Sequence, residues 1–402
     1  MDFFRFLMSD VLSEPAVLVG LIALIGLIAQ KKPVTECIKG TVKTIMGFVI
    51  LGAGAGLVVS SLGDFANIFQ HAFGIQGVVP NNEAIVSVAQ KSFGKEMAMI
   101  MFFAMVINIM IARFTPWKFI FLTGHHTLFM SMMVAVILAT AGMTGITLIA
   151  VGSLVVGVAM VFFPAIAHPY MKKVTGSDDV AIGHFSTLSY VLAGFIGSKF
   201  GNKEHSTEDM NVPKSLLFLR DTPVAISFTM SIIFLVTCLF AGADAVKELS
   251  GGKNWFMFSI MQSITFAAGV YIILQGVRMV IAEIVPAFKG ISDKLVPNAR
   301  PALDCPVVFP YAPNAVLVGF LSSFAAGLIG MFTLYLLNMI VIIPGVVPHF
   351  FVGAAAGVFG NATGGRRGAI LGAFAQGLLI TFLPVFLLPV LGDIGFANTT
   401  FS

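Results

Sequence analysis

Charge is scarce in this sequence: Asp, Glu, Lys and Arg make up 10% of its 402 residues, against about 25% in soluble domains. That shortage excludes a water-soluble globular domain, and no nucleic-acid partner is expected. Cysteine is nearly missing as well. Cys37, Cys238 and Cys305 lie far apart and form no CxxC pair, so neither a disulfide framework nor a metal site is indicated. No Walker loop, HExxH or serine-nucleophile elbow occurs, and the chain is expected to carry no catalytic residue and no cofactor. Apolar surface is what it has instead. Hydrophobic residues make up 57% of the chain and the mean hydropathy is +0.97, in runs long enough to cross a hydrocarbon core of ~30 Å. The expected fold is an all-α polytopic membrane protein with about nine to eleven transmembrane helices.

Spanning helices are expected near 14–30, 39–61, 96–112, 127–142, 145–166, 223–242, 255–285, 315–343 and 369–391. The run from Ala16 to Gln30 meets Lys31-Lys32-Pro33 and no small-residue cleavage site, so it reads as a retained helix. Segments 178–200, 300–314 and 346–362 are apolar but interrupted by Gly, Pro, His, Asp or Asn. Their backbone could not stay paired in lipid, so they are expected to be re-entrant or discontinuous pieces shielded by protein. Segment 62–95 is polar enough to be an external or interfacial excursion.

Alternating the loops places most of the 23 basic residues on one side, among them Lys31, Lys32, Lys172, Lys173, Arg366 and Arg367. The other side receives Arg5, Lys91, Lys95, Lys247 and Lys253. By the positive-inside rule the N-terminus lies outside. A faint two-fold pattern, with Gly74-Ile75 and the Gly-His segments in one half and Gly290-Ile291, Leu303-Asp304-Cys305 and Ala312-Pro313-Asn314 in the other, suggests internal repeats. Paired broken helices of this kind point to a transporter's midplane site.

The candidate site begins with Leu122-Thr123-Gly124-His125-His126 and its echo Ile182-Gly183-His184-Phe185. Glycine lets a backbone or ligand approach closely, and a neutral imidazole donates to or accepts from a hydroxyl. A histidine in a membrane helix is also often just a packed, hydrogen-bonded side chain. Asp304 sits in a broken segment, where a carboxylate is costly unless paired or hydrated; its plainer roles are a helix cap or a partner for Arg300. Asn314 precedes a long helix and could simply cap it. Glu83 could simply face external water. Arg278 and Glu283 read as structural, the Gly52–Gly56 and Gly353–Gly360 tracts as close helix packing, and Gly364-Gly365-Arg366-Arg367 as a cytoplasmic turn.

LTGH at Leu122–His125, IGH at Ile182–His184, QGVRM at Gln275–Met279, GIS at Gly290–Ser292, LDC at Leu303–Cys305, APNAV at Ala312–Val316 and IIPG at Ile342–Gly345 resemble the membrane IIC components of the ascorbate branch of bacterial phosphotransferase systems. The resemblance runs in matching order from about residue 30 to 370. It implies a homodimer in the bacterial cytoplasmic membrane, each protomer with a gate-like dimerisation part and a core that moves like an elevator, the core including about 119–200 and 300–365. A separate IIB protein, recharged by IIA, would phosphorylate the delivered sugar acid. Carried over by motif, the substrate-binding residues are Glu83, Gly124, His125, Phe129, Gly183, His184, Phe185, Asp304 and Asn314.

Relatives resembling the ascorbate carrier have glutamines where this chain has Phe129 and Phe185, and a tyrosine in the outer segment where it has Glu83. The resemblance makes L-ascorbate the first candidate substrate, and these three departures open the alternative of a related sugar, sugar acid or polyol. The chain stops soon after 369–391, where the family usually continues into one more helix. A proton-coupled secondary transporter using Asp304 or Glu83, and a non-transporting membrane receptor, are the rival readings.

Overall fold

The computed structural model describes residues 15–74, 77–210, 218, 219, 221–392 and 399–401. Arg5 and Ile75 lie outside them, and so do the side chains of Glu83 and Lys91. In chain order the elements are α1 (Pro15–Ala29), α2 (Val34–Phe73), β1 (Gly77–Pro80), α3 (Asn82–Phe114), β2 (Phe119–Phe121), α4 (Gly124–Thr140) and α5 (Gly145–Thr175). Then come β3 (Ala181–Ile182), α6 (Thr187–Phe200), a short 3-10 helix (Thr207–Asp209), α7 (Thr222–Ala241), α8 (Ala243–Leu249) and α9 (Trp255–Leu295). The chain closes with β4 (Arg300–Leu303), a second 3-10 helix (Cys305–Tyr311), α10 (Pro313–Leu336), β5 (Val341–Ile342), α11 (Val346–Gly392) and β6 (Thr399–Thr400).

This is an all-α polytopic membrane protein. Among the described residues, 7 helices are long and apolar enough to cross a membrane, because only a helix pairs all its own backbone groups in lipid. The 15 described residues of α1 reach about 22 Å at a rise of 1.5 Å each. α11 is two helices in one. At Gly364 and Gly365 the backbone leaves the helical region, Gly365 with φ of 57°, and a side chain on Gly360 would collide with the carbonyl of Gly368. Residues eight apart touch only if the chain has folded back, so the segments on either side form a hairpin.

One expectation needs correction. Segment 62–95 is helical over most of its length: α2 continues to Phe73 and α3 begins at Asn82, leaving only a short link around β1. Of its polar residues, Asp64 accepts a 2.6 Å bond from Gln262 of α9, whereas Asn67, Gln70, His71, Ser92 and Lys95 are exposed. Segment 346–362 is the buried first arm of the α11 hairpin, folding back at Gly364-Gly365 and shielded by protein as expected. Segments 178–200 and 300–314 are discontinuous, each a short strand followed by a helix or 3-10 turn.

The strands form two small parallel sheets, β2-β4-β3 and β5-β1-β6. Each mixes strands from both halves of the chain, so sheet order does not follow the two-fold sequence pattern. In the first, Phe119–Phe121 pair with Arg300–Ala302, and Ala181–Ile182 with Ala302–Leu303. The outer edge of β2 is closed by a side chain: Asn108 of α3, fully buried, donates to Phe119 O and accepts from Phe121 N, both at 3.0 Å. An edge that would be untenable in a membrane interior is thereby paired.

One ion-pair node anchors the start of this sheet. Asp178, on the loop before β3, meets Lys172 Nζ at 2.8 Å, His168 Nε2 at 2.5 Å and Arg300 Nη2 at 2.7 Å. Lys172 above all, then His168 and Arg300, hold the Asp178 carboxyl well below the usual carboxylate range. Asp178→Asn should lower the melting temperature at neutral pH. Because the carboxyl is depressed, the wild-type advantage should persist down to about pH 4 and disappear only as acid protonates Asp178 below that. It should also shrink in high salt. Melting curves of the detergent-solubilised protein across pH read this directly; an advantage decaying between about pH 7 and 5 would assign it to another group.

Candidate substrate site

Every strand of the β2-β4-β3 sheet runs in the same direction, so three carboxyl ends open at one edge, and each is followed at once by a polar sequence. β2 leads to Gly124-His125-His126, β3 to Gly183-His184 and β4 to Asp304-Cys305. As in open α/β sheets, where ligands bind beyond the carboxyl ends of parallel strands, these residues gather around a cavity. Its volume is about 240 Å³, and His125, His126, His184, Ser186, Asp304 and Cys305 line it together with Phe129, Asn82, Leu274, Arg278, Pro306, Val347, Pro348, Phe351 and Val352.

His125 Nε2 lies 3.4 Å from Asp304 Oδ2, and His126 Nε2 4.0 Å from Oδ1. Asp304 Oδ1 also accepts the Cys305 backbone N–H at 2.7 Å, so this carboxylate caps the 3-10 helix while its other oxygen faces the cavity. It is not Arg300's partner, since Arg300 is taken up by Asp178. His184 is buried, and its ring centroid stands 3.7 Å from that of His126. Its Nδ1 accepts the Ser186 backbone N–H at 3.0 Å. A neutral imidazole that accepts at Nδ1 carries its proton on Nε2, so His184 presents a fixed N–H donor.

The other expected residues are placed differently. Gly183 serves packing: a Cβ there would sit 2.5 Å from the Ala302 carbonyl oxygen, and its N–H donates to Leu303 O at 2.7 Å. Gly124 is the buried first residue of α4. Phe129 borders both this cavity and a neighbouring apolar one of about 280 Å³. Phe185 lines only the second, its ring 4.9 Å from Phe121. Asn314 is not among the lining residues; its side chain donates to Thr207 O and Met210 O, both at 3.1 Å, and its backbone N–H to Glu208 Oε1 at 3.0 Å. Glu83 falls one residue into α3, with its side chain outside the described residues.

Several lining residues escaped the sequence reading. Arg278, which reads as structural from its sequence, lines the cavity from α9 together with Leu274. Asn82, Ser186, Val347 and Pro348 share a signal that can be stated in retrospect: each stands at the start of a helix that follows a strand. His126 was visible as the second half of a His-His pair, but the Gly-His motif drew the reading to its neighbour.

A multi-pass helical protein with discontinuous segments converging on a partly open cavity has the form of a membrane carrier. The chain belongs to the PTS system sugar-specific permease component family (EIIC-GAT), whose profile matches residues 10–402. It is also similar to a Mycoplasma pneumoniae protein described as an ascorbate-specific PTS system EIIC component, at 27% identity over 91% of this chain and 64% of that protein. The chain thus spans less than two thirds of the length of the curated relative it matches.

The His184 geometry carries its own test. The amide nitrogen of glutamine reaches the position of Nε2, whereas that of asparagine stops near Nδ1. His184→Asn and His184→Ala should weaken substrate binding by about 10-fold or more, the cost of an unmet buried partner, while His184→Gln keeps most of the affinity. Equal losses in all three variants, read by calorimetry, would remove the Nε2–H from the account.

Proposed function

We propose that this chain is the carrier subunit of a phosphotransferase system for an anionic sugar derivative, with L-ascorbate as the first candidate. The observation that carries the reading is the convergence of helix and 3-10 starts on one cavity, at Asn82, Gly124, Ser186, Cys305 and Val346. Helix N-termini bear partial positive charge and favour anions, even where, as at Ser186 and Cys305, the first N–H is already accepted by a neighbouring side chain. Arg278, also lining the cavity, adds a full positive charge. A charged oxygen has that positive field and the His184 N–H to bind, while neutral hydroxyls have Asp304 and the imidazoles of His125 and His126 as acceptors. Phe129 offers an apolar face to the C–H side of a ring. The printed description of the Mycoplasma relative supports the same substrate.

The delivered sugar acid is phosphorylated by a separate IIB protein, itself recharged by IIA. The protein works as a homodimer in the bacterial cytoplasmic membrane with its N-terminus outside. A core including about 119–200 and 300–365 moves like an elevator against the remainder. Part of that core forms a second buried cluster, built from Ala167, Ile182, Tyr190, Val308, Ala315, Phe359 and their neighbours, while residues between Ile120 and Met160 and between Val341 and Phe350 contribute to the main cluster along with residues of α2, α7 and α9. α2, α7 and α9 pack with one another.

Reconstituted alone, the protein should only exchange or equilibrate substrate, and accumulation as the phosphate ester should require IIB, IIA and the general phosphotransferase proteins. Uptake of free substrate driven by a pH gradient would favour a proton-coupled transporter instead.

Asp304→Asn separates ligand contact from architecture, because asparagine caps helix starts as well as aspartate does. The variant should melt near the wild-type temperature without ligand, bind ascorbate at least about 10-fold more weakly, and lose the ligand-induced rise in melting temperature. A lower melting point with the ligand-induced rise intact would take Asp304 out of the site.

A further inference from the structure

His125 and His126 are consecutive, so a helix sets them about 100° apart, yet both Nε2 atoms turn to one carboxylate. One ligand atom each from His125, His126 and Asp304 lies within 4.8 Å of the others. Bonds of 2.0–2.1 Å to a tetrahedral ion place neighbouring ligand atoms roughly 3.3–3.4 Å apart. His125 Nε2 already stands at that distance, 3.4 Å, from Asp304 Oδ2, and His126 Nε2, 4.0 Å from the other oxygen Oδ1, reaches the same ion by side-chain rotation while Oδ1 keeps the Cys305 N–H. We infer that His125, His126 and Asp304 form a reversible binding site for a late first-row divalent cation of the zinc class, with its remaining coordination position open to the cavity.

Two imidazoles and one carboxylate select such ions over magnesium or calcium, which take oxygen ligands. His184 is outside the set: its Nδ1 accepts Ser186 N–H, so the Nε2 that would have to bind metal carries the proton. Among the described residues neither His125 nor His126 has a hydrogen-bond partner on Nδ1, the contact that usually orients a metal-bound imidazole. The site is therefore suited to an exchangeable ion rather than a resident one. Arg278 in the same cavity opposes any cation, which again favours reversible binding through direct ligand bonds. The inference rests on this cluster alone and not on the identity of the substrate. If the proposed function is right, however, zinc and substrate use the same Nε2 and carboxylate lone pairs and must compete.

The test titrates the whole chain in nanodiscs with zinc chloride, against magnesium chloride, in a His71→Ala/His205→Ala background that removes two exposed surface imidazoles. One zinc per chain is expected, with affinity falling at least about 10-fold in each of His125→Ala, His126→Ala and Asp304→Asn. Cobalt(II) added to the protein with its three ligands intact, which requires no ligand variant to fold, should show the intense visible bands of a four-coordinate ion. Unchanged zinc affinity in all three variants, or a cobalt spectrum identical to the hexa-aquo ion, would overturn the inference. Zinc bound at this cluster together with substrate would leave the metal site standing and count against the proposed substrate site.

Discussion

Every structural feature around the cavity depends on one requirement: non-helical backbone inside a membrane protein must find partners within the protein. The chain interrupts its helices at Phe119–Phe121, Ala181–Ile182 and Arg300–Leu303, and each interruption exposes N–H and C=O groups that lipid cannot satisfy. Aligning them as a parallel sheet, with β4 in the centre, solves the problem for the inner edges. Asn108 solves it for the β2 edge with one amide side chain that both donates and accepts. Gly183 belongs to the same solution, since β3 can lie against β4 only where no Cβ meets the Ala302 carbonyl.

The same arrangement produces the site. Parallel strands end together, so the residues that follow them are neighbours even though His125, His184 and Asp304 are far apart in sequence. Each strand end also becomes the beginning of a helix or 3-10 turn, and the cavity inherits the positive ends of those starts. A carboxylate can be kept there because Asp304 has the Cys305 N–H and the two imidazoles beside it. Affinity for an anion and the presence of an acidic side chain are then compatible, since different parts of the ligand meet different walls.

The membrane class and most helices were legible because hydropathy over some twenty residues is a strong signal. The two Gly-His pairs and Asp304 were legible for the converse reason, being polar groups where polarity is costly. Strands of two to four residues were not, because alternation needs more positions than these contain. Without the strands, neither the role of Asn108 nor the cavity-facing place of Ser186 and Asn82 could be inferred. The plainer alternative of an Asp304–Arg300 pair does not hold for a related reason: Asp304 is nearer in sequence, but Asp178 is brought beside Arg300 by the pairing of β3 with β4. Asn314 looked like a pocket residue by motif, whereas its amide is spent on the carbonyls of Thr207 and Met210. The helices of the polar stretch 62–95 were not legible because they carry polar groups at exposed positions such as Asn67, Gln70 and His71, which hydropathy along one segment reads as an excursion.

Asn108 also assigns a mechanical allegiance to the helix that bears it. α3 packs chiefly on α4 and α5; near its far end it is stitched to β2, and its first residue borders the cavity. A rigid displacement of the strands against α2 and α9 could not leave α3 behind without tearing two hydrogen bonds out of a water-free interior. Any relative displacement would then have to pass between α2 and α3, which are joined by the eight residues 74–81, and the β1 strand in that link is itself paired with β5 and β6.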